Sequence, residues 1–531
     1  MCGNLCSMIR YLLCHAIGVR ANIAIRICLG VIQVFLGLAV VWICKRFIDI
    51  AVSGGEVFGL AITLIGITLL SVGVRQVDYY IGNIGNARMV NALRLRLQSI
   101  ILRRKVFEGK QYPSGDLTAR LEQDVPIVCE FITKHIPQTA TTGIQLLGAF
   151  AMMRYMNPLV AWSLLVGTPL ILVCGKTFGK RIKGMTARIR DLEADILAHL
   201  QEWNENTVFI ECSGNWKWLI KRMQGRQRIL LSEVKHRAAY TSLGRSLISG
   251  CFGLAYIGIF IWGGHLLSIG AITFGTMTSF LQLAGQIQQP IVGLMNMIPS
   301  IYHTSASIDR LREIENLPIE CGTRKSQTEP LPLSFRDVTF SYTDNPSHMV
   351  KLNHTFMPGT TTAIIGESGV GKTTILRLML GLVKPTSGEI LFGGEPIQES
   401  MRANFVYIPQ GNTLMQGTIR ENLLLGNPDA SEPELWSALH TAVADFVNDM
   451  DSVCQEKGGG LSEGMAQRIA IARGLLQPGS IMLFDEVSSA LDADTERELF
   501  ERLTTRFPMK TMIFVTHSKQ LVGMCQNLIR L

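Results

Sequence analysis

Charge is scarce in this chain: Asp, Glu, Lys and Arg make up 17% of its 531 residues, where soluble domains carry about 25%. The deficit is uneven. From Ser246 to Ile308 none of the four occurs, whereas beyond about Leu317 charge returns to a soluble density. That excludes a single water-soluble globule and marks the N-terminal part as membrane-embedded. The length is also too great for one ordinary domain. Metal-ligand spacing is missing too: the twelve cysteines include no CxxC pair. Neither a zinc site nor a disulfide framework is expected, and the cysteines, with Cys28, Cys44, Cys174 and Cys251 in apolar segments, read as small buried hydrophobes. No cleavable signal is expected either, because Met1 to Arg20 is broken by Arg10 and has no clean small-residue cleavage site. Insertion is expected to rest on the spans themselves.

The net charge is +8, yet no nucleic-acid recognition motif accompanies it, so no nucleic-acid partner is expected. The basic residues crowd two stretches between apolar segments. One holds Arg94, Arg96, Arg103, Arg104, Lys105 and Lys110; the other holds Lys176, Lys180, Arg181, Lys183, Arg188 and Arg190. Lys and Arg beside membrane spans mark the cytoplasmic side.

A helical span needs about 20 mostly apolar residues. Ile27 to Cys44, Val57 to Val74 and Asn157 to Gly175 come close without a charge, and Ile136 to Met153 is a weaker candidate with Pro137, Thr and Gln. The uncharged block from Ser246 supplies two more, broken near His265 to Gly275. Six spans put both termini on the cytoplasmic side. The connections 75–135 and 176–245 are long. Met89 to Val106 and Thr186 to Trp203 repeat apolar residues every three or four positions, so the helices are expected to continue well beyond the lipid. Tyr112-Pro-Ser-Gly-Asp116 is a turn signal for one tip. In the last span Thr278, Gln282, Gln286, Gln289, Gly293, Asn296 and Ser300 share one helical face. Such a face either bonds neighbouring helices or lines a polar path.

The soluble part carries the chemistry. Gly366-Glu-Ser-Gly-Val-Gly-Lys372-Thr373 matches the P-loop pattern between a short β-like run and a helical one. Its glycines let backbone N–H groups approach phosphate, Lys372 reaches the terminal phosphates and Thr373 faces Mg²⁺. Downstream, Ile481 to Phe484 is a buried-strand run ending in Asp485 and Glu486. The first carboxylate suits a magnesium shell and the second a base that orients water. Thr511 to Thr516 is another apolar strand with His517 at its carboxyl end, where open α/β sheets place ligands. Gln410 follows the strand-like Phe405 to Ile408, and Leu461-Ser-Glu-Gly-Met-Ala-Gln-Arg468 precedes the acidic pair.

These motifs, in this order and over nearly the whole length, resemble the ATP-binding cassette (ABC) transporter family, exporters with both domains on one chain. The resemblance implies a multidomain fold: an all-α six-helix transmembrane domain over 1–318, then an α/β P-loop ATP-binding cassette over 319–531. It implies ATP and Mg²⁺ as ligands. Tyr342 is similar to the family's adenine-stacking aromatic. Gly366, Glu367, Ser368, Gly369, Val370, Gly371, Lys372, Thr373 and Thr374 form the phosphate loop. Glu486 is similar to the catalytic glutamate, with His517 and Gln410 beside it, and Thr373, Gln410 and Asp485 correspond to the metal side. Ser462 and Gly464 occupy the signature, and Asp492 closes the Ser488 to Asp492 run resembling the D-loop. Gly115-Asp116 and Ser305 to Arg310 resemble looser landmarks in the membrane half. The signature departs from the family's usual Leu-Ser-Gly-Gly-Gln, with Glu463 and Met465 at its third and fifth positions.

The resemblance further implies a partner: a second half-transporter, whose Ser462-equivalent face completes each ATP site. A homodimer is favoured and a heterodimer is open. The expected setting is a multi-pass protein of a bacterial cytoplasmic (inner) membrane, moving a small-molecule, lipid or peptide substrate across the lipid bilayer. An ATP-gated channel or transport regulator on the same scaffold is the alternative.

Overall fold

The computed structural model describes residues 11, 16–108, 112, 114–320, 327, 329–342, 350–367, 369–455 and 459–531. They form two compact units, one of residues 1–99 and 113–316, the other of 100–112 and 317–531.

The first unit is helical. Its long helices are Arg20–Val52, Phe58–Leu102, Ile136–Met156, Pro158–Glu205, Trp216–Ser268 and Phe274–Glu315. Phe58–Leu102 has 45 residues and Trp216–Ser268 has 53. At about 1.5 Å per residue they run roughly 65–80 Å, more than twice a hydrocarbon core of about 30 Å. The long connections are therefore helix, as the apolar spacing predicts. Within Phe58–Leu102 the character changes along the length. Ile62, Ile65, Leu69 and Leu70 are exposed, the kind of apolar exterior that water does not tolerate in quantity. Further on, Gly82, Gly85, Met89, Leu93 and Leu97 are buried at three- and four-residue intervals, one stripe facing protein.

Among the described residues three helices are long and apolar enough to cross a membrane: Arg20–Val52, Phe58–Leu102 and Trp216–Ser268. The expected third and sixth spans lie in Ile136–Met156 and Phe274–Glu315, where Thr and Gln lower the hydropathy. In the fourth, the side chains of 163–180 lie outside the described residues. The last two candidates are separate helices, parted at 269–273 as the glycine-bearing break predicts. The expected burial of the cysteines holds for Cys129 and Cys454 and is corrected for Cys28 and Cys251, which are exposed on apolar helices, a surface that only a bilayer or another helix would cover.

Two interruptions shape the helical stretch from 114 to 156. Wide π-helical turns occupy Arg120–Asp124 and Phe131–His135, each two residues before a proline, Pro126 and Pro137. Proline lacks an N–H and its ring crowds the preceding turn; an extra residue in that turn gives it room. The wide turns also carry contacts. Arg120 bonds Asp116 at 3.0 Å and Glu313 at 2.9 Å, while Asp124 accepts from Ser307 at 2.8 Å and Arg310 at 2.5 Å. Arg120 also donates to the Arg310 carbonyl at 2.9 Å, so it links Asp116 to the Ser305 to Arg310 run across nearly two hundred residues of sequence. The expected turn at Tyr112 to Asp116 is corrected: a helix already begins at Ser114. Ser and Asp open helices as readily as they make turns. Arg26 forms a two-point pair with Asp78, at 2.8 and 3.0 Å, and also donates to the Thr133 carbonyl. Gly82 makes room for it, since a Cβ there would lie 2.7 Å from the guanidinium carbon.

The second unit is α/β. A parallel sheet runs in the order Asn527–Arg530, Thr361–Ile365, Thr511–Val515, Ile481–Asp485, Phe405–Ile408. A separate antiparallel sheet is built on Leu333–Phe340, Val350–Phe356 and Ser387–Phe392. Every residue of Ile481–Asp485 and Thr511–Val515 is buried, as expected where both faces of a parallel sheet are covered. The pleat sorts them. Met482, Phe484, Met512 and Phe514 join one core with Ile469 and Ala470; Ile481, Leu483, Ile513 and Val515 join another with Ile375 and Phe335. Residues 103–108 belong to this unit through backbone bonds. Lys105 N–H donates to the Pro318 carbonyl and Glu320 N–H to the Arg103 carbonyl, both at 2.8 Å, and Lys105 pairs with Glu399 at 2.5 Å.

Candidate nucleotide site

Four neighbouring strands of the parallel sheet end at the same edge, and each delivers one piece of chemistry. Thr361–Ile365 leads into 366–371 and the helix Lys372–Met379. Thr511–Val515 leads to His517, Ile481–Asp485 ends in the acidic pair, and Phe405–Ile408 leads to Gln410. The carboxyl edge of an open parallel sheet is where such folds bind ligands.

The loop at 366–371 is set by its backbone. Gly369 and Gly371 have φ of +83° and +107°, conformations natural only to glycine, and a Cβ on Gly371 would lie 2.3 Å from Val350 Cγ2. Lys372 folds back over this loop. Its Nζ donates to the carbonyls of Gly366 at 3.0 Å and Glu367 at 3.1 Å, and lies 3.0 Å from His517 Nε2. Only 5% of Lys372 is exposed. Val370 and Thr374 complete the loop and helix start, while Ser368 lies outside the described residues.

Beside the loop, Thr373 Oγ1 donates to Asp485 Oδ1 at 3.2 Å, and Tyr407 Oη donates to Oδ2 at 3.0 Å. Burial pushes the Asp485 carboxyl up; the two hydrogen bonds oppose that shift and the neighbouring Glu486 charge adds to it. A buried carboxylate beside a like charge calls for a cation, and the hydroxyl–carboxylate donor set is the hard-oxygen kind that suits Mg²⁺. Glu486 holds a left-handed backbone, φ +50°, uncommon for a non-glycine residue and often found at functional sites. Its carboxylate accepts from Gln410 Nε2 at 2.7 Å and lies 3.5 Å from His517 Nε2 and 3.9 Å from Lys372 Nζ. Gln410 and His517 are exposed, so this edge is open.

Sequence reasoning thus finds Lys372, Thr373, Gln410, Asp485, Glu486 and His517 together. Tyr342 stands apart from that cluster, half-exposed at 53%. Its ring meets Phe340 edge-on at 4.8 Å, and its hydroxyl accepts from Arg377 at 2.8 Å. Ser462, Gly464 and Asp492 form a different group. Ser462 is exposed and caps the helix Glu463–Leu475, accepting from Met465 N at 3.2 Å. Gly464 packs on the Ser488 to Asp492 run, where a Cβ would lie 2.6 Å from the Ala490 carbonyl oxygen. Asp492 caps the helix Ala493–Arg506, accepting from Thr495 N at 3.1 Å. The sequence reading missed Tyr407. Only the parallel pairing of its strand with Ile481–Asp485 brings it to Asp485, and no motif marks it.

Together these features define a helical membrane-protein unit fused to a P-loop nucleotide-binding fold. Residues 23–291 match the family described as ABC transporter transmembrane region, and 349–489 match ABC transporter. The chain belongs to the ABC transporter family, with the fused arrangement of an exporter-type half-transporter. An ABC multidrug transporter of Aspergillus fumigatus is 28% identical over 85% of this chain and 59% of its own length. An uncharacterized ABC transporter ATP-binding protein of Sinorhizobium fredii is 28% identical, over 92% and 86%. The chain spans less than two thirds of some relatives, only 29% of a serine protease/ABC transporter B family protein of Dictyostelium discoideum. A solved bacterial Atm1-family ABC exporter with ATP bound shares the fold, with TM-score 0.80 at 21% identity over 96% and 94% of the two chains.

Proposed function

We propose that this chain is one subunit of an ATP-hydrolysing primary active transporter, which works as a dimer and exports or flips a hydrophobic or amphiphilic substrate. The observation that carries the reading is the meeting of Lys372, Asp485, Glu486, Gln410 and His517 at one sheet edge of a chain that also carries lipid-type helices. In this reading Lys372 and the loop N–H groups hold the ATP phosphates, and Tyr342 stacks on adenine. Thr373 and Asp485, with Gln410, would hold Mg²⁺, which would neutralise phosphate charge. Glu486 takes the proton of the attacking water, with Gln410 and His517 fixing its carboxylate. Ser462, which is exposed, and the partly covered Gly464 beside it serve the nucleotide of a second subunit, in a homodimer by preference. Reconstitution into vesicles tests it: ATP must drive substrate uphill across the bilayer, and a channel would only dissipate a gradient.

Glu463 bears on the dimer. It opens an exposed helix start next to Ser462, where a carboxylate favours the helix dipole. It would also repel a phosphate brought to Ser462. Glu463→Gly is expected to raise apparent ATP affinity several-fold at low salt and less at high salt, where screening is stronger. ATPase rates against ATP concentration at two ionic strengths decide it; an unchanged affinity leaves only the helix-start role.

The polar stripe divides. Gln286 Nε2 donates to the Gly37 carbonyl and Gln145 Nε2 to the Gln286 carbonyl, each at 3.3 Å. Gln282 is exposed and, with Gln286, lines a cavity of about 510 Å³. The side chains of Gln289 and Asn296 lie outside the described residues. Gln286→Leu is expected to lower thermal stability by a few degrees, since an interhelical bond in a membrane is worth on the order of 1 kcal/mol. Gln282→Leu is expected to change which compounds stimulate ATPase at unchanged stability. Melting curves and a compound screen in nanodiscs, run on both variants, would expose the opposite assignment.

A further inference from the structure

Arg377 sits in the last turn of the helix that starts at Lys372, and its guanidinium makes two contacts that no motif anticipates. Nη1 donates to Tyr342 Oη at 2.8 Å. The guanidinium carbon lies 4.9 Å from the centre of the Phe107 ring, within the range of a cation–π contact. Phe107 lies in the 103–108 segment, whose backbone is bonded to Pro318 and Glu320 and whose Lys105 pairs with Glu399. One side chain therefore touches an exposed aromatic ring and a segment that is continuous in sequence with the membrane helix ending at Leu102.

Tyr342 needs such a support. More than half exposed, it is held by the edge of Phe340, and an exposed ring free to turn loses freedom when a flat ligand settles on it. A fixed ring has lost that freedom beforehand, so binding is stronger. We propose that Arg377 is a positioning residue for the purine base: it fixes the Tyr342 ring and, through Phe107, ties that ring to the 103–108 segment. This rests on the reading of Tyr342 as the adenine platform. Base occupancy and the placement of 103–108 then influence each other, because both act on one guanidinium. A competing route exists, since the charge of Arg377 also stabilises the Asp485 carboxylate. That route concerns phosphate and metal rather than the base.

The two routes separate by ligand. The full chain in lipid nanodiscs with Mg²⁺ is loaded with fluorescent trinitrophenyl-ATP, which is displaced either by ATP or by inorganic tripolyphosphate, which has no base. Arg377→Ala is expected to weaken ATP about three- to tenfold, the scale of one lost hydrogen bond and lost preorganisation, and tripolyphosphate less than twofold. Tyr342→Phe, which keeps the ring and removes only the acceptor, should do the same, and the double variant should be no weaker than either. Phe107→Leu should weaken ATP in the wild-type background and not in Arg377→Ala. In hydrolysis assays the loss should appear in KM, with kcat changed less than twofold.

Equal weakening of ATP and tripolyphosphate would assign Arg377 to the phosphate side and overturn the proposal. Wild-type binding by Tyr342→Phe would overturn it too, and this variant decides the matter if Arg377→Ala does not fold. An unchanged ATP affinity in Phe107→Leu would remove the link to 103–108. A wild-type chain that prefers ATP to tripolyphosphate no more than the Tyr342→Ala variant does would sink the adenine reading itself. A chain that binds with base preference but never hydrolyses would sink the transport reading and leave Arg377 in place.

Discussion

Glu486→Gln is expected to bind ATP and fail to turn it over. The amide keeps the size of the carboxylate and can still meet Gln410, now 2.7 Å away, and His517, 3.5 Å away. It cannot accept a proton from water. Removing a general base costs about 10²–10⁴-fold in rate, so ATPase should drop by at least two orders of magnitude while nucleotide stays bound. The left-handed backbone at 486 is retained because glutamine and glutamate have the same backbone requirements. Single-turnover hydrolysis and the retention of radiolabelled ATP after gel filtration read the two halves of this expectation. Hydrolysis within a few-fold of wild type would remove Glu486 from the chemistry.

Lys372→Ala should act one step earlier, on binding itself. The ammonium is nearly enclosed, with the Gly366 and Glu367 carbonyls as acceptors and His517 as a neighbour. It thus braces the loop as well as presenting charge to it. A hydrogen bond to a charged group is worth about 1.5–3 kcal/mol, so ATP affinity should fall roughly ten- to a hundredfold. AMP, lacking the terminal phosphates, should bind as before. Displacement of a fluorescent nucleotide by ATP and by AMP separates the cases. A parallel loss for both nucleotides would mean that the loop had collapsed rather than lost a phosphate contact.

Much of this site is legible in the chain because it lies close in sequence to strand ends. A buried apolar run followed by a polar residue marks a carboxyl edge, and Ile481–Asp485 and Thr511–Val515 announce Glu486 and His517 that way. The contacts that tune the site are not legible. Tyr407 reaches Asp485 only through strand order, Arg377 reaches Tyr342 across thirty-five positions, and Arg120 reaches Glu313 across 193. Periodicity reports which face of a helix is apolar; it carries no information on which distant helix that face meets. Local chemistry is ambiguous in the same way at Ser114, where residues suited to a turn begin a helix instead. The apolar spacing did foretell the long helical connections, because a regular repeat needs only its own helix to be read.

The close approach of Gly464 to the Ala490 oxygen also bears on which letters of this signature can carry a side chain. Any side chain at 464 would strike backbone, which cannot swing aside as a side chain can. Position 463, on the exposed start of the same helix, meets no such wall, and 465 is only partly covered. Packing within the subunit therefore admits a side chain at the third and fifth letters of this segment and excludes one at the fourth. The residues present obey that limit: glutamate and methionine stand where the usual signature has glycine and glutamine, with a glycine between them.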